Sequence, residues 1–223
     1  NPRDILDFWF LPPGAEGHGQ PRMVWFRKDA TFDEAIRARF LPDVEAALAG
    51  KLEEWIATPQ GAQALLIVLD QFTRNLFRGE ARCFAGDAAA LRVAEMVIGK
   101  GWDQAMNVVE RTFVYLPFEH SEVLADQERS LALFSALAAG NPSAAGFLDY
   151  AQRHHEVIVR FGRFPHRNAA LGRPSTEAEI ALPCATSCAT AIADTPSEIA
   201  RAGGRSSISF VGPMRTCVVI WWS

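Results

Sequence analysis

Residues 58–72 read TPQGAQALLIVLDQF and combine a helix start with a long apolar run. Thr58 has a side chain that caps helices, and Pro59 suits the first helical position, where its missing N–H has no partner to lose. From Ala64 to Leu69 every residue is apolar, so a helix there is apolar around its whole circumference. We therefore predict a helix that begins at Pro59, runs through Phe72 and lies buried at the centre of the fold.

The segments on either side also follow the helical period. Between Thr31 and Leu48 an apolar residue recurs every fourth position, and Gly50 follows as a stop signal. Pro42 interrupts this segment, which predicts a kink or a break near Leu41. Asp87 is predicted to cap the next helix, which ends at Gly99.

Three more helices are predicted before residue 182. The first covers Val108–Leu116 and is expected to end at Pro117, the second runs from about His120 to Gly140, and the third runs from Ser143 to Phe161. The first 182 residues contain no alternating pattern typical of a strand. The predicted fold class is all-α, with short turns joining antiparallel helical hairpins in an irregular array.

The predicted domain organisation is a single all-α domain over residues 1–182, followed by an atypical tail over residues 183–223. The tail has few charged residues and holds Cys184, Cys188 and Cys217, three of the four cysteines. This abrupt change of composition favours a frame-changed or poorly packed extension. Removal of the tail is expected to leave the melting temperature nearly unchanged.

The composition and net charge of the chain argue against several classes of function. The 223 residues carry 22 Lys+Arg against 26 Asp+Glu, a net charge of −4, which argues against general nucleic-acid binding. The apolar run is far shorter than the ~20 residues that span a bilayer, and no signal peptide is recognised. The cysteine spacing fits neither a zinc site nor a disulfide framework, which favours a cytoplasmic protein. No metal site is predicted, and the sequence identifies no cofactor.

Three segments combine polar and aromatic residues and supply the candidate site. They cover residues 69–79, 115–129 and 154–168. We predict His120 as an acid–base group with Glu119 and Glu122, which lie three apart and would share a helix face. Arginine and histidine side chains near a helix end can clamp an anion. The predicted ligand-binding residues are Arg74, Asn75, His154, Arg163, His166, Arg167 and Asn168.

Two functions remain open, beside a purely structural role for these residues. One is a binding module that holds a peptide or a partner protein on the concave face of the helical array, and the sequence favours it. The other is an enzyme or small-ligand-binding protein whose Glu/His/Arg pocket recognises an anionic metabolite. Buried His and Arg–Glu pairs also occur simply as structural ion pairs.

Six ordered motifs resemble the bacterial "domain of unknown function 924" family, and the resemblance covers about residues 3–182. The resemblance implies a tetratricopeptide-like superhelix in a cytoplasmic bacterial protein, although the regular 34-residue repeat signature is absent. It supplies no reaction, substrate or cofactor. From about Pro183 the chain departs from the family pattern. The motifs are DFWF (7–10), WFxKD (25–29), LDQFxRNxFRG (69–79), PFEHSE (117–122), DQERS (126–130) and RFGRFPHRN (160–168).

Overall fold

A computed structural model describes residues 1–181, and the predictions for the tail lie outside these residues. Within the described part the ordered elements are helices and none is a strand, which confirms the all-α prediction. Asn1–Ser175 form one compact unit, and Thr176 begins a second one. In order along the first unit, the α-helices are α1 (Pro2–Phe10), α2 (Ala30–Leu48), α3 (Pro59–Leu66), α4 (Thr73–Leu76), α5 (Asp87–Gly99), α6 (Val108–Glu119), α7 (Leu124–Gly140) and α8 (Ala145–Phe161).

The central helix follows its prediction closely. The Thr58 hydroxyl accepts a hydrogen bond from the Gly61 N–H at 3.1 Å, as expected of a helix cap. A π-helical turn, Ile67–Phe72, joins α3 to α4, so the helix is continuous from Pro59 to Leu76. Every residue from Gly61 to Leu76 is buried. Helices α1, α2, α5 and α6 pack against this element, and α7 and α8 pack against α6 and against each other.

Several predicted helix boundaries are wrong. Of the kink or break predicted near Leu41, the break is absent, because α2 continues through Pro42 to Leu48. Helix α6 likewise continues through Pro117 to Glu119. A proline removes one backbone hydrogen bond but does not end a helix when tertiary packing holds the next turn. Phe118, the next residue in α6, is fully buried.

His120 lies at the C-terminal cap of α6 and not within the following helix, which begins only at Leu124. The buried Gln127 amide stabilises this turn by donating to the carbonyls of Glu119 and Ser121, both at 2.6 Å. Glu122 therefore lies in a turn, and the prediction that it shares a helix face with Glu119 is wrong.

Aromatic side chains fill the side of the central helix that faces α1 and α2. The Phe72 ring is fully buried, with its centroid 5.2 Å from Phe40 and 5.7 Å from Trp9. Trp9 and Phe113 meet edge to face at 5.4 Å. This aromatic core consists of Trp9, Trp25, Phe32, Phe40, Phe72 and Phe113.

The second unit begins with one more helix, α9 (Glu177–Ile180). A capping box holds its first turn, because Thr176 and Glu179 each accept a hydrogen bond from the other's backbone N–H.

Candidate functional site

Arg74 is the centre of a buried group of charges on the side of the central helix away from the aromatic core. Its side chain is 1% exposed. The guanidinium contacts the Asp70 carboxylate at 2.8 Å and donates two parallel hydrogen bonds to Asp87, at 2.9 and 3.0 Å. Paired bonds of this kind fix both the position and the orientation of the two partners. Asp87 does not cap α5 as predicted: Gly86 occupies the cap position and Asp87 is the first helical residue.

His120 and Arg167 complete this group. The His120 Nδ1–H donates to Asp70 Oδ1 at 2.7 Å, and the His120 carbonyl accepts from Arg167 at 2.8 Å. Arg167 also donates to Asp87 at 3.2 Å. We call these five residues the polar cluster: Asp70, Arg74, Asp87, His120 and Arg167. The predicted proximity of the segments around His120 and Arg167 is therefore observed.

Mutual charge compensation shifts the pKa values inside the polar cluster. Burial alone would raise the pKa of Asp70, but Arg74 and His120 hold it well below its usual range. Burial would lower the pKa of Arg74, yet Asp70 and Asp87 raise it above its usual value. Burial lowers the pKa of Arg167 to about 10, and the nearby Arg74 adds to that shift.

Folding favours the neutral form of His120, and one of its ring nitrogens is already hydrogen-bonded. Burial and the adjacent Arg74 lower its pKa, against the opposing effect of Asp70. A carboxylate only accepts hydrogen bonds, so Asp70 places the proton on Nδ1 and leaves Nε2 as an acceptor. Nε2 is buried and has no partner among the described residues. A neutral imidazole of this kind can accept a proton, and the acid–base role of His120 stays a prediction.

Glu119 and His154 form a second carboxylate–histidine pair beside the first. The His154 Nδ1–H lies 3.0 Å from Glu119 Oε1 and 2.9 Å from the Tyr150 carbonyl. Burial would lower the pKa of His154, but Glu119 raises it overall. The His120 and His154 rings are 6.4 Å apart. Adjacent residues of the chain, Glu119 and His120, thus belong to two separate pairs. Each carboxylate raises the pKa of its histidine, but burial and Arg74 make the net shift of His120 downward, whereas that of His154 is upward.

A small cavity of about 50 Å³ lies against the polar cluster. Its lining includes both the buried Arg74 and the exposed Gly79, so the cavity reaches the surface. Arg78 and His166 also line it, beside Cys83, Phe84 and Ala170. Since a cavity needs about 10–15 Å³ to hold one water, this one has room for a few waters or for one carboxylate or phosphate group.

His166 experiences a positive environment. Burial lowers its pKa well below its ordinary value, and Arg167, His154 and Arg74 lower it further. Its Nδ1 atom is buried without a hydrogen-bond partner among the described residues, and so is Nε of Arg167. The Arg167 guanidinium lies between the rings of Phe84 and Phe164, at 4.5 and 4.7 Å.

Glu122 holds a loop beside the cluster and does not face His120. It accepts two hydrogen bonds from Arg173, at 2.7 and 2.9 Å, and one from the Phe164 N–H at 2.7 Å. Asn168 belongs to the same loop, since its side chain accepts from Arg173 at 3.1 Å. These contacts position the segment that carries His166 and Arg167.

The remaining predicted ligand-binding residues lie apart from the cavity. Asn75 donates to Asp33 of α2 at 2.6 Å, and Asp33 also pairs with Arg78 at 3.0 Å. Arg163 donates to the Pro174 carbonyl at 2.9 Å in an exposed position.

Sequence reasoning missed four charged residues around the site: Asp70, Arg78, Asp87 and Arg173. Asp70 stands in the same motif as Arg74, four residues earlier, and this helical spacing was a usable signal. Asp87 and Arg173 reach the site through long-range contacts that no local pattern indicates. Among residues 1–181 no helix is long and apolar enough to cross a membrane. The same residues include no group of three or more His, Cys, Asp or Glu arranged to hold a metal ion.

Comparison with known proteins identifies the family. The sequence model described as "Bacterial protein of unknown function (DUF924)" matches residues 5–182. The chain belongs to the DUF924 family. All members of the polar cluster and all residues of the cavity lie within the matched region, so the site is built entirely from the DUF924 part of the chain.

A solved structure of a protein of unknown function, ATU0120 from Agrobacterium tumefaciens, is similar to this DUF924 chain. The two share 38% sequence identity with a TM-score of 0.70, over 80% of this chain and 94% of that one. No curated protein matches the chain. The comparisons therefore give the family and the fold, and the tetratricopeptide-like superhelix stays a prediction.

Proposed function

We propose that this DUF924 protein binds a small anionic metabolite, with one carboxylate or phosphate group seated in the cavity beside the polar cluster. The observation that carries the proposal is the cavity lining: Arg74, Arg78 and His166 meet around a space that fits one such group. Arginine is well suited to planar and tetrahedral oxyanions because its N–H donors are arranged as a fork.

The unpartnered polar atoms support this proposal. A buried polar atom that lacks a partner is uncommon and calls for an explanation, such as a bound molecule or water. His166 lines the cavity, and its Nδ1 and the Nε of the neighbouring Arg167 are two such atoms. An anion in the cavity would also offset the positive surroundings that depress the pKa of His166.

Anion binding should therefore be coupled to proton uptake. Because an anion favours the charged imidazole, it raises the pKa of His166, and affinity rises as the pH falls between the bound and free pKa values. Inorganic phosphate and acetate are suitable probes. Histidine side-chain NMR across a pH series, with and without each probe, measures the shift directly.

His166→Gln and His155→Gln make a matched pair of variants. His155 is also a partly buried histidine, on α8, but it does not line the cavity. His166→Gln is expected to weaken probe binding at least tenfold, whereas His155→Gln leaves it unchanged. Absence of probe binding at millimolar concentration, or equal effects of the two substitutions, contradicts the proposal.

A second candidate function is peptide or partner-protein binding, and one observation favours it. A larger cleft of about 610 Å³ lies beside α1, lined by Phe10, Leu11, Gln63 and Trp102 among others. Gln63 is 4% exposed and its Nε2 has no hydrogen-bond partner among the described residues. Leu11 adopts φ 70° and ψ 152°, a conformation that costs a non-glycine residue about 1–3 kcal/mol and is concentrated at functional sites.

Peptide binding would use a backbone carbonyl as the acceptor for Gln63 and an apolar side chain against Phe10. A random-peptide display selection tests it, with Trp102→Ala as the disrupting variant. Selection of peptides that bind both forms equally well, or of none, excludes this cleft as the binding surface.

A further inference from the structure

A second polar cleft lies on the molecule, separate from the polar cluster. It has a volume of about 660 Å³, within the range of small-molecule sites, and lies between α6, α7 and the 3-10 turn Trp102–Ala105. Its lining includes Ala132, Ala136 and Gly140 of α7. These residues recur at every fourth position and so share one helix face, where their small side chains leave room above the backbone.

One carboxylate in this cleft is only half satisfied. Asp103 is 1% exposed, and its Oδ2 accepts hydrogen bonds from Tyr115 and Gln104, both at 2.7 Å. Its Oδ1 is buried and has no hydrogen-bond partner among the described residues. A buried carboxylate oxygen needs a donor, because without one it loses hydration and gains nothing in return.

None of the neighbouring side chains among the described residues supplies that donor. Burial and the bond to Asp103 raise the pKa of Tyr115 to about 12, so its single hydroxyl proton is retained and already engaged on Oδ2. Arg111 directs Nε and Nη2 to the Tyr115 oxygen, at 3.2 and 2.9 Å, and lies 3.8 Å from Oδ2. The donor for Oδ1 must therefore come from elsewhere.

The cleft also carries uncompensated positive charge. Arg111 and Arg129 both line it, against the single carboxylate of Asp103. Arg129 is exposed, lies over the Phe118 ring at 5.0 Å and has no carboxylate within ion-pair distance among the described residues. A ligand that suits both features is negatively charged and donates one hydrogen bond.

We propose that this cleft binds a small carboxylate that carries a hydroxyl group. The ligand carboxylate faces Arg111 and Arg129, and its hydroxyl donates to Asp103 Oδ1. A hydrogen bond from a hydroxyl group contributes more binding free energy when its acceptor is charged than when its acceptor is neutral. The site is independent of the anion cavity beside the polar cluster and does not rest on the function proposed there.

Malate and succinate provide the test, because they match in charge and chain length and differ by one hydroxyl. Isothermal titration of the full chain at low salt is expected to show malate binding at least tenfold more tightly than succinate. Asp103→Asn is expected to abolish this preference. Arg129→Gln is expected to weaken both ligands at least threefold while the preference remains, and Arg92→Gln, an exposed arginine on α5, is expected to change neither.

Several outcomes overturn the proposal. Equal affinities for malate and succinate, or no binding of either, exclude a hydroxyl-specific site. If Asp103→Asn fails to fold by circular dichroism, Arg129→Gln alone decides, since unchanged malate affinity in that variant excludes the cleft. His166→Gln separates the two sites: loss of the malate preference in this variant would place malate in the other cavity.

Discussion

The aromatic core and the polar cluster, apart from the partly exposed Asp87, are both buried, and the same central helix contributes to both. Phe72 is 0% exposed and packs among rings, whereas Asp70 and Arg74, two residues away on either side, are 1% exposed and pack among charges. The rings are stabilised by apolar burial, which has little dependence on pH. The charges compensate one another, so each partner is strongly destabilising when the other is removed. The buried fraction of a region therefore does not by itself predict how its stability responds to pH or to a substitution.

Arg74→Met is expected to have the largest effect. The substitution keeps an unbranched side chain but leaves Asp70 without its guanidinium and Asp87 with one arginine fewer. Loss of one partner from a buried ion pair typically costs about 3–5 kcal/mol of unfolding free energy. Urea denaturation measures it. Arg92→Met on the exposed face of α5 is the control, and a loss below about 1 kcal/mol for Arg74→Met would show that the cluster is not the stabilising unit inferred here.

Phe72→Ala tests the contribution of the aromatic core to stability. The cavity it leaves is expected to cost about 3–5 kcal/mol, close to the cost of the arginine substitution. The distinguishing result is its pH dependence: between pH 5.5 and 7.5 the loss for Phe72→Ala should stay constant. A loss that varies strongly with pH would mean that the two regions are coupled through the central helix.

The pH dependence of the wild-type chain follows from the three histidines whose pKa values shift on folding: His120, His154 and His166. Folding lowers the pKa values of His120 and His166. Below about pH 6.5 the unfolded chain therefore binds more protons than the folded chain, and stability decreases as the pH is lowered. The raised pKa of His154 acts oppositely, because its stabilising contribution is present at low pH and is lost as the pH rises. The net expectation is a loss of stability between pH 7 and pH 5.5, because two histidines act in this direction and one against it. Asp70 contributes only at lower pH, since its pKa is depressed from about 3.9.

Denaturant titrations at several pH values check this balance, with His154→Gln as the companion variant. Removing the one histidine whose pKa is raised should steepen the loss at low pH. A shallower slope in His154→Gln would contradict the assignment of opposite shifts to the two carboxylate–histidine pairs.

The smallest expected effect concerns Leu11, at the end of α1 beside the aromatic core. Leu11→Gly and Leu11→Ala remove nearly the same side chain, but only glycine adopts the observed φ of 70° and ψ of 152° without strain. We expect the glycine variant to be more stable than the alanine variant by about 1 kcal/mol, as measured by thermal denaturation. An alanine variant of equal or greater stability would show that this backbone is not strained.

Local signals in the sequence predicted where most helices lie. Contacts between residues far apart in the sequence determine the pairing within the site and some of the helix ends. The start at Thr58–Pro59 and the stop at Gly162, which has φ 67°, are encoded within one turn of chain. The helix end predicted at Pro117 is wrong because the packing of Phe118 outweighs the loss of one backbone hydrogen bond. The motifs located the site, but the pairing within it depends on residues far apart in sequence, such as His120 with Asp70 and Arg167 with Asp87.

The π-helical turn Ile67–Phe72 has a consequence for how this site tolerates length changes. A π turn holds about one residue more than an α turn, and each residue rotates an α-helix by about 100°. Deleting a single residue here would convert the π turn into an α turn of the same overall rotation, so Arg74 and Arg78 would keep their direction towards the cavity. The same deletion within the α-helical part, Pro59–Leu66, would rotate both arginines by about 100° and remove them from the cavity. Spacing, as much as side-chain chemistry, is what this stretch of chain encodes.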